Sequence, residues 1–347
     1  MQTRPPKITV VGAGLIGRKH IDLVQSHAEL HAIVDPVEAA ASLAQDKNVP
    51  WFPDLNACLE ASHPDGVIVA SPNTLHLEHA LACLSAGIPV LVEKPLTDTV
   101  ASGRVVCDRV RETGTALLVG HHRRHSPIIA AAKAVMEAER LGRVVSVNAM
   151  FWLHKPADYF DMVWRTQTGG GPTYINLIHD IDLLQYLCGP IVAVQAQEAN
   201  AVRGFDVEDT SAIIVTFASG ALGTIAVSDT VSAPWSWELT AGENPAYPKT
   251  DQSCYTIGGT DAALSLPDLR VWSHAGPPSW WSPIDFEKLD VAQADPVAAQ
   301  FRHLLDVIAG QAIPLVTAED GLRNIEVLEA IKRAAKTGTR EQVAPVT

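Results

Sequence analysis

Lys7-Ile8-Thr9-Val10-Val11-Gly12-Ala13-Gly14-Leu15-Ile16-Gly17 is the stretch that decides the fold. A short β-branched run stops at a glycine pair, and from Leu15 the apolar spacing turns helical through Ile16, His20 and Leu23. Gly12, Gly14 and Gly17 fit G-x-G-x-x-G, a pattern too short to convince alone. Its context supplies the weight: it follows a strand, opens a helix, and Asp35 stands 21 residues after Gly14 at the end of the next apolar run, Leu30 to Val34.

Outward from this stretch the alternation continues. A helix is expected near 37–46, then a strand at 66–70, a helix from about 74 to 86, a strand at 88–92, a helix near 99–113 and a strand at 115–119. Continuous apolar strands separated by helices predict a doubly wound parallel sheet covered on both faces. Such a sheet binds ligands beyond the carboxyl ends of its strands. Glycines there let the backbone approach a pyrophosphate, whose charge the free amides of Leu15, Ile16 and their neighbours stabilise at the helix N-terminus. Asp35 accepts hydrogen bonds from adenosine ribose hydroxyls and repels a 2′-phosphate, which favours NAD over NADP. The same carboxylate also suits a cap for a helix starting at Pro36.

The 347 residues predict about two domains, and 47% hydrophobic against 19% charged residues argues for packed cores rather than disorder. With 26 basic and 39 acidic residues the net charge is −13, which argues against a nucleic-acid partner. No apolar run approaches the roughly 18 residues of a membrane span. Cys58, Cys83, Cys107, Cys188 and Cys254 are odd in number and lack a Cys-x-x-Cys pair, as reduced buried thiols would be. The opening Met1 to Pro6 carries no apolar core of a signal peptide, so a cytoplasmic location is expected.

Beyond the strand ending at Ala70 come Ser71-Pro72-Asn73-Thr74-Leu75-His76; beyond Val92 come Glu93-Lys94-Pro95; beyond Val119 come Gly120-His121-His122-Arg123-Arg124-His125. Together with Gly169-Gly170-Gly171 and His179-Asp180-Ile181-Asp182, these segments resemble the GFO/IDH/MocA oxidoreductases, from Lys7 to about Ala335. The resemblance implies an NAD(P)-binding Rossmann domain, 1–121, and an α+β domain, 122–347, with a large open, mainly antiparallel sheet used for substrate binding and for forming a homodimer or homotetramer. The later sequence agrees, with strands expected at 143–152, 190–199, 210–218, 221–229, 235–241, 253–257, 262–266 and 269–273. Helices are expected near 128–138, 175–187, 295–309 and 318–336.

In that family the lysine of Glu-Lys-Pro lies between nicotinamide and substrate and the helix histidine accepts a proton, roles the resemblance carries to Lys94 and His179. Ser71, Asn73, His76 and Glu93 then fall on the cofactor side. Family dehydrogenases hold an aspartate four residues before the histidine; Ile175 stands there, with Asn176 beside it facing substrate or imidazole, and Asp182 the better placed of two aspartates to compensate. Arg123, Arg124 and Arg165 stand out against the net charge of −13. They fit an anionic small-molecule substrate, contacts to the cofactor, or salt bridges at the domain junction. Trp152, Tyr159 and Trp164 suit a pocket wall for a sugar ring, or plain packing. The His-rich 121–125 segment invites a metal, but the family works without one and none is expected.

The leading expectation is a dehydrogenase oxidising a secondary alcohol of a sugar, polyol or carboxylated cyclic diol by hydride transfer to nicotinamide. The alternatives are a glycoside-processing enzyme of the same superfamily and a non-catalytic nucleotide-sensing or partner-binding protein.

Overall fold

The computed structural model describes residues 4–343; residues 1–3 and 344–347, at the two ends of the expected domains, lie outside the described residues. By packing the chain divides into two units, one running to His122 and including Val297–Ile325, the other comprising Arg123–Pro296 and the residues from Glu326 on. Where the sequence suggests one cut between 121 and 122, packing also assigns 297–325 to the first unit.

The first unit alternates β1 (Lys7–Val11), α1 (Leu15–His27), β2 (Glu29–Val34), α2 (Ala39–Asp46), β3 (Trp51–Phe52), α3 (Leu55–Ala61), β4 (Gly66–Val69), α4 (His76–Ser85), β5 (Val90–Val92), α5 (Val100–Thr113) and β6 (Leu117–Val119). The strands are all parallel, in the order β3-β2-β1-β4-β5-β6. This is the doubly wound dinucleotide order, whose crevice opens where the chain reverses between β1 and β4.

Alternate residues of each strand feed two cores. Ile68, Leu91 and Leu118 join Ile8, Val10 and Ile33 on one face, while Val67, Val69, Val90, Val92, Leu117 and Val119 line the other. The late segment is recruited by the same apolar logic: Phe301, Leu304 and Val307 complete the first core and Val316, Ala318 and Ile325 the second.

The second unit contains α6 (Pro127–Glu137), β7 (Val144–Trp152), α7 (Pro172–Ile175), α8 (Leu177–Cys188), β8 (Ile191–Ala199), β9 (Thr210–Phe217), β10 (Leu222–Ser228), α9 (Trp237–Thr240), β11 (Tyr255–Gly259), β12 (Ala262–Leu266), β13 (Arg270–His274) and β14 (Ile284–Lys288). After these come α10 (Pro296–Ile308), α11 (Ala318–Thr337), which passes from the first unit's residues to the second's, and β15 (Glu341–Gln342). The sheet runs β14-β13-β12-β11-β7-β10-β9-β8-β15, and β7 with β10 is the parallel pair in an otherwise antiparallel order. Burial alternates, as in β9, where Ser211, Ile213, Val215 and Phe217 are buried and Ala212 and Ile214 exposed. One face therefore carries the core and the other is open.

The strand expected near 235–241 is instead the short helix α9. The Ser236 hydroxyl accepts the Leu239 N–H at 3.4 Å, an N-cap that commits Trp237 and its successors to a helical turn. The edge strand β14 and the two-residue β3 and β15 are too short or too polar to stand out in sequence.

Because Phe301 is fully buried among strand residues of the first unit, Phe301→Ala is expected to cost about 3–5 kcal/mol of that unit's stability. Urea unfolding followed by circular dichroism measures it.

Candidate active-site residues in the two units

In the first unit the three glycines divide their labour. At Gly12, φ is +95° and a Cβ would lie 2.5 Å from the Ala70 carbonyl oxygen. A Cβ at Gly17 would overlap the Gly12 carbonyl. Both positions serve the tight passage from β1 to α1 past β4. Gly14 differs, since a Cβ there meets no protein atom within 4 Å. What its missing side chain keeps clear is the outer face of the turn, where a phosphate group would seat. No side chain caps the N-terminus of α1 and no acidic residue stands in its first turn, leaving its amides to an anion. Leu15 and Ile16 begin the helix at the surface.

Asp35 fastens the turn. One carboxylate oxygen accepts the Ala13 N–H at 2.8 Å and the other the Val37 N–H at 2.8 Å. Each oxygen keeps a further lone pair for a ribose hydroxyl. The cap at Pro36 takes the form of this short turn, since α2 begins at Ala39.

Beyond β4, the Ser71 hydroxyl pairs with His79 Nδ1 at 2.9 Å, and Asn73 opens an exposed helical turn. His76, expected on the cofactor side, is buried. Its Nδ1 lies 2.8 Å from the Pro95 carbonyl oxygen and its Nε2 2.9 Å from that of Ser71, so it braces the β4 loop against the β5 loop. Burial lowers its pKa, although a ring with hydrogens on both nitrogens would satisfy both carbonyls.

Beyond β5, Glu93 also turns inward. Its Oε1 meets His20 Nε2 at 2.8 Å and its Oε2 accepts the Lys94 N–H at 3.2 Å. Burial alone would raise this carboxyl, but the hydrogen bond from His20 and the charges of His20, His122 and Lys94 outweigh it and hold the pKa at about 2. Lys94 is half-buried and precedes Pro95 through a cis peptide bond.

In the second unit α8 carries His179, which is buried along with every other residue from Leu177 to Leu184. Asp180 and Asp182 sit in the same buried helix and are neutralised from the segment before α6. Arg123 Nη1 lies 3.1 Å from Asp180 and its Nη2 2.5 Å from Glu238, while Arg124 grips Asp182 through Nε at 2.8 Å and Nη2 at 2.7 Å. The Tyr255 hydroxyl donates to Asp180 as well. Asp180 Oδ2 has no hydrogen-bond partner among the described residues, and burial lifts its pKa to about 6 despite Arg123.

These pairings account for the charges of Arg123 and Arg124 within the unit. The arginines' charge answers buried carboxylates, which leaves an anionic substrate resting on Arg165 alone. Asp182 is engaged by Arg124 through both of its carboxylate oxygens. Arg165 lies over the Tyr159 ring at 4.0 Å and donates to the Tyr159 carbonyl at 2.6 Å, with the half-exposed Trp164 beside it. Asn176 links α7 to α8, and its side-chain oxygen is buried with no hydrogen-bond partner among the described residues.

The Gly-rich turn before α7 is set by residues to which no sequence signal pointed. Glu208 accepts the Thr173 N–H at 2.9 Å and is paired with Lys332 at 2.7 Å, and a Cβ on Gly171 would collide with its carboxylate. His20 was equally invisible, since one histidine in an apolar helix pattern predicts only burial.

Comparison with known proteins assigns the family. Residues 7–121 match the GFO/IDH/MocA oxidoreductase family model with its NAD-binding Rossmann fold, and residues 129–265 match the GFO/IDH/MocA C-terminal domain. The chain belongs to the GFO/IDH/MocA oxidoreductase family.

It is 32% identical to inositol 2-dehydrogenase 2 of Saccharopolyspora erythraea over 62% of this chain and 64% of that one. The match thus spans just under two thirds of the length of the first curated relatives. It is 24% identical to the scyllo-inositol 2-dehydrogenase (NAD+) of Bacillus subtilis over 97% and 96% of the two chains. The structure of the WlbA dehydrogenase of Chromobacterium violaceum, in complex with NADH and UDP-GlcNAcA, superposes with a TM-score of 0.80 at 24% identity, covering 100% of this chain and 98% of that one. At that identity the likeness speaks for the fold.

Removing Arg123 strands the buried carboxylate of Asp180 and the partly buried one of Glu238, so Arg123→Met is expected to cost about 3–5 kcal/mol in urea unfolding, whereas an arginine reserved for substrate would leave stability unchanged. Glu93 supplies a pH test. Its pKa is depressed from 4.5 to about 2, so its contribution to stability is full above about pH 4.5 and is lost as pH falls toward 2. The stability gap between wild type and Glu93→Gln is expected to be widest at neutral pH and to narrow in steps down to about pH 3.

Proposed function

We propose that this protein is an NAD-dependent dehydrogenase that oxidises a secondary alcohol of a sugar, polyol or carboxylated cyclic diol. The observation that carries the reading is the Glu93-Lys94-Pro95 turn, held at the carboxyl end of β5 in the sheet whose Gly14 turn leaves room for a pyrophosphate. The family assignment supports it, as do relatives named inositol dehydrogenases.

Gly12 to Gly17 and the α1 amides would hold the pyrophosphate, and Asp35 would receive the adenosine ribose hydroxyls and disfavour a 2′-phosphate. NAD, when bound, supplies the hydride acceptor. Lys94 donates a hydrogen bond to the substrate hydroxyl oxygen as negative charge develops there, and the His179 imidazole accepts the hydroxyl proton. Ile175 offers no carboxylate to orient that imidazole. Trp164 and Arg165 bound the substrate side, with Asn176 presenting an amide oxygen to a sugar hydroxyl.

The test is NADH formation with a panel of sugars, inositols and carboxylated cyclic diols. Turnover with NAD exceeding that with NADP is expected. Lys94→Ala should lower kcat by about 100-fold or more while NADH binding persists, and His179→Ala by about 100-fold. Silence across the panel with both nucleotides, or full turnover by Lys94→Ala, sinks the reading; cleavage of a glycoside without net NADH redirects it to the glycoside-processing alternative.

A further inference from the structure

We propose that His20 is a positioning residue for Lys94, acting through the Glu93 carboxylate, and that it thereby joins the cofactor seat to the reacting lysine. The proposal deepens the dehydrogenase reading and rests on it for the role of Lys94.

His20 lies in the second turn of α1, the helix whose N-terminus begins at Gly14, and its side chain is 0% exposed. Its Nε2 is 2.8 Å from Glu93 Oε1, and Glu93 Oε2 accepts the backbone N–H of Lys94. The carboxylate is confined from a third side, since a Cβ on Gly120 would lie 2.8 Å from Oε2 and 3.0 Å from the Glu93 Cα. One carboxylate is thus held by the helix of the glycine turn, by the amide of the lysine and by the end of β6.

The chemistry of His20 fits a donor. Its Nδ1 is buried with no hydrogen-bond partner among the described residues, so a hydrogen there would find no acceptor. A hydrogen on Nε2 meets the geometry and gives Glu93 Oε1 a directed bond. Removing the donor leaves a buried carboxylate free to rotate or draw in water, and the Lys94 amide moves with it.

The experiment compares His20→Leu, which keeps volume without a donor, with His20→Gln, whose amide N–H reaches a similar distance. Both are made in the wild-type and Glu93→Gln backgrounds. His20→Leu is expected to lower kcat about ten-fold with the KM for the alcohol little changed, and to weaken NADH binding about three-fold. His20→Gln should recover most of both, and in the Glu93→Gln background the leucine should add less than about two-fold.

Equal damage from leucine and glutamine, or additive effects with Glu93→Gln, overturns the proposal. If the leucine variant fails to fold, Gly120→Ala displaces the same carboxylate from the other side and should reproduce the kcat loss; unchanged kcat counts against the proposal. Nitrogen chemical shifts of the imidazole show whether Nε2 carries a hydrogen, and a bare Nε2 also overturns the proposal. Protection of Lys94 from acetylation by NADH, read by mass spectrometry, should be lost in His20→Leu and kept in His20→Gln. That readout needs no substrate, so a failed dehydrogenase reading stays distinguishable from a failed role for His20.

Discussion

A carboxylate buried in a helix that is covered along almost its whole length must be neutralised nearby, and in this protein that demand arises twice within three residues. Asp180 and Asp182 flank Ile181 in the most buried part of α8, immediately after His179. Taking a bare carboxylate out of water costs several kcal/mol, so each draws a cation with it. Arg123 and Arg124 supply these charges as adjacent residues, and Glu238 and Tyr255 complete the shell on the Asp180 side. The backbone that carries His179 is thereby pinned to α6's approach, to α9 and to β11. The second unit is organised around salt bridges that the helix cannot do without.

This is also why the arginines mislead in sequence. Against a net charge of −13 a pair of adjacent cations looks like a binding patch, because composition counts charges without showing which carboxylates they face. The aspartates that answer them lie more than fifty residues away and are visible in the chain only as part of a helix motif. The parallel sheet was legible for the opposite reason. Its strands are short apolar runs whose neighbours are helices of ordinary length, so local pattern and long-range pairing agree. The glycine turn, Asp35 and the Glu93-Lys94-Pro95 segment were legible too, since each sits at a strand end where the topology directs attention.

What stayed hidden depended on partners far off in sequence. His20 has meaning only beside Glu93, and Glu208 only beside Thr173 and Lys332. Trp237 to Thr240 reads as strand by composition, yet a single serine hydroxyl turns it helical. Residues 297–325 belong to the first unit because their apolar stripe fits its two cores, a match of shapes that no local window contains.

The unequal roles of the three glycines carry a consequence for how such motifs evolve. Gly12 and Gly17 are demanded by neighbouring backbone atoms, so a substitution at either is paid in folding. Gly14 faces open space, and a side chain there leaves the protein's own packing untouched while obstructing a bound phosphate. A descendant chain that abandoned its nucleotide would therefore drift first at Gly14 and hold the other two. The middle glycine records whether the ligand is still under selection, and the outer pair records only that the fold persists.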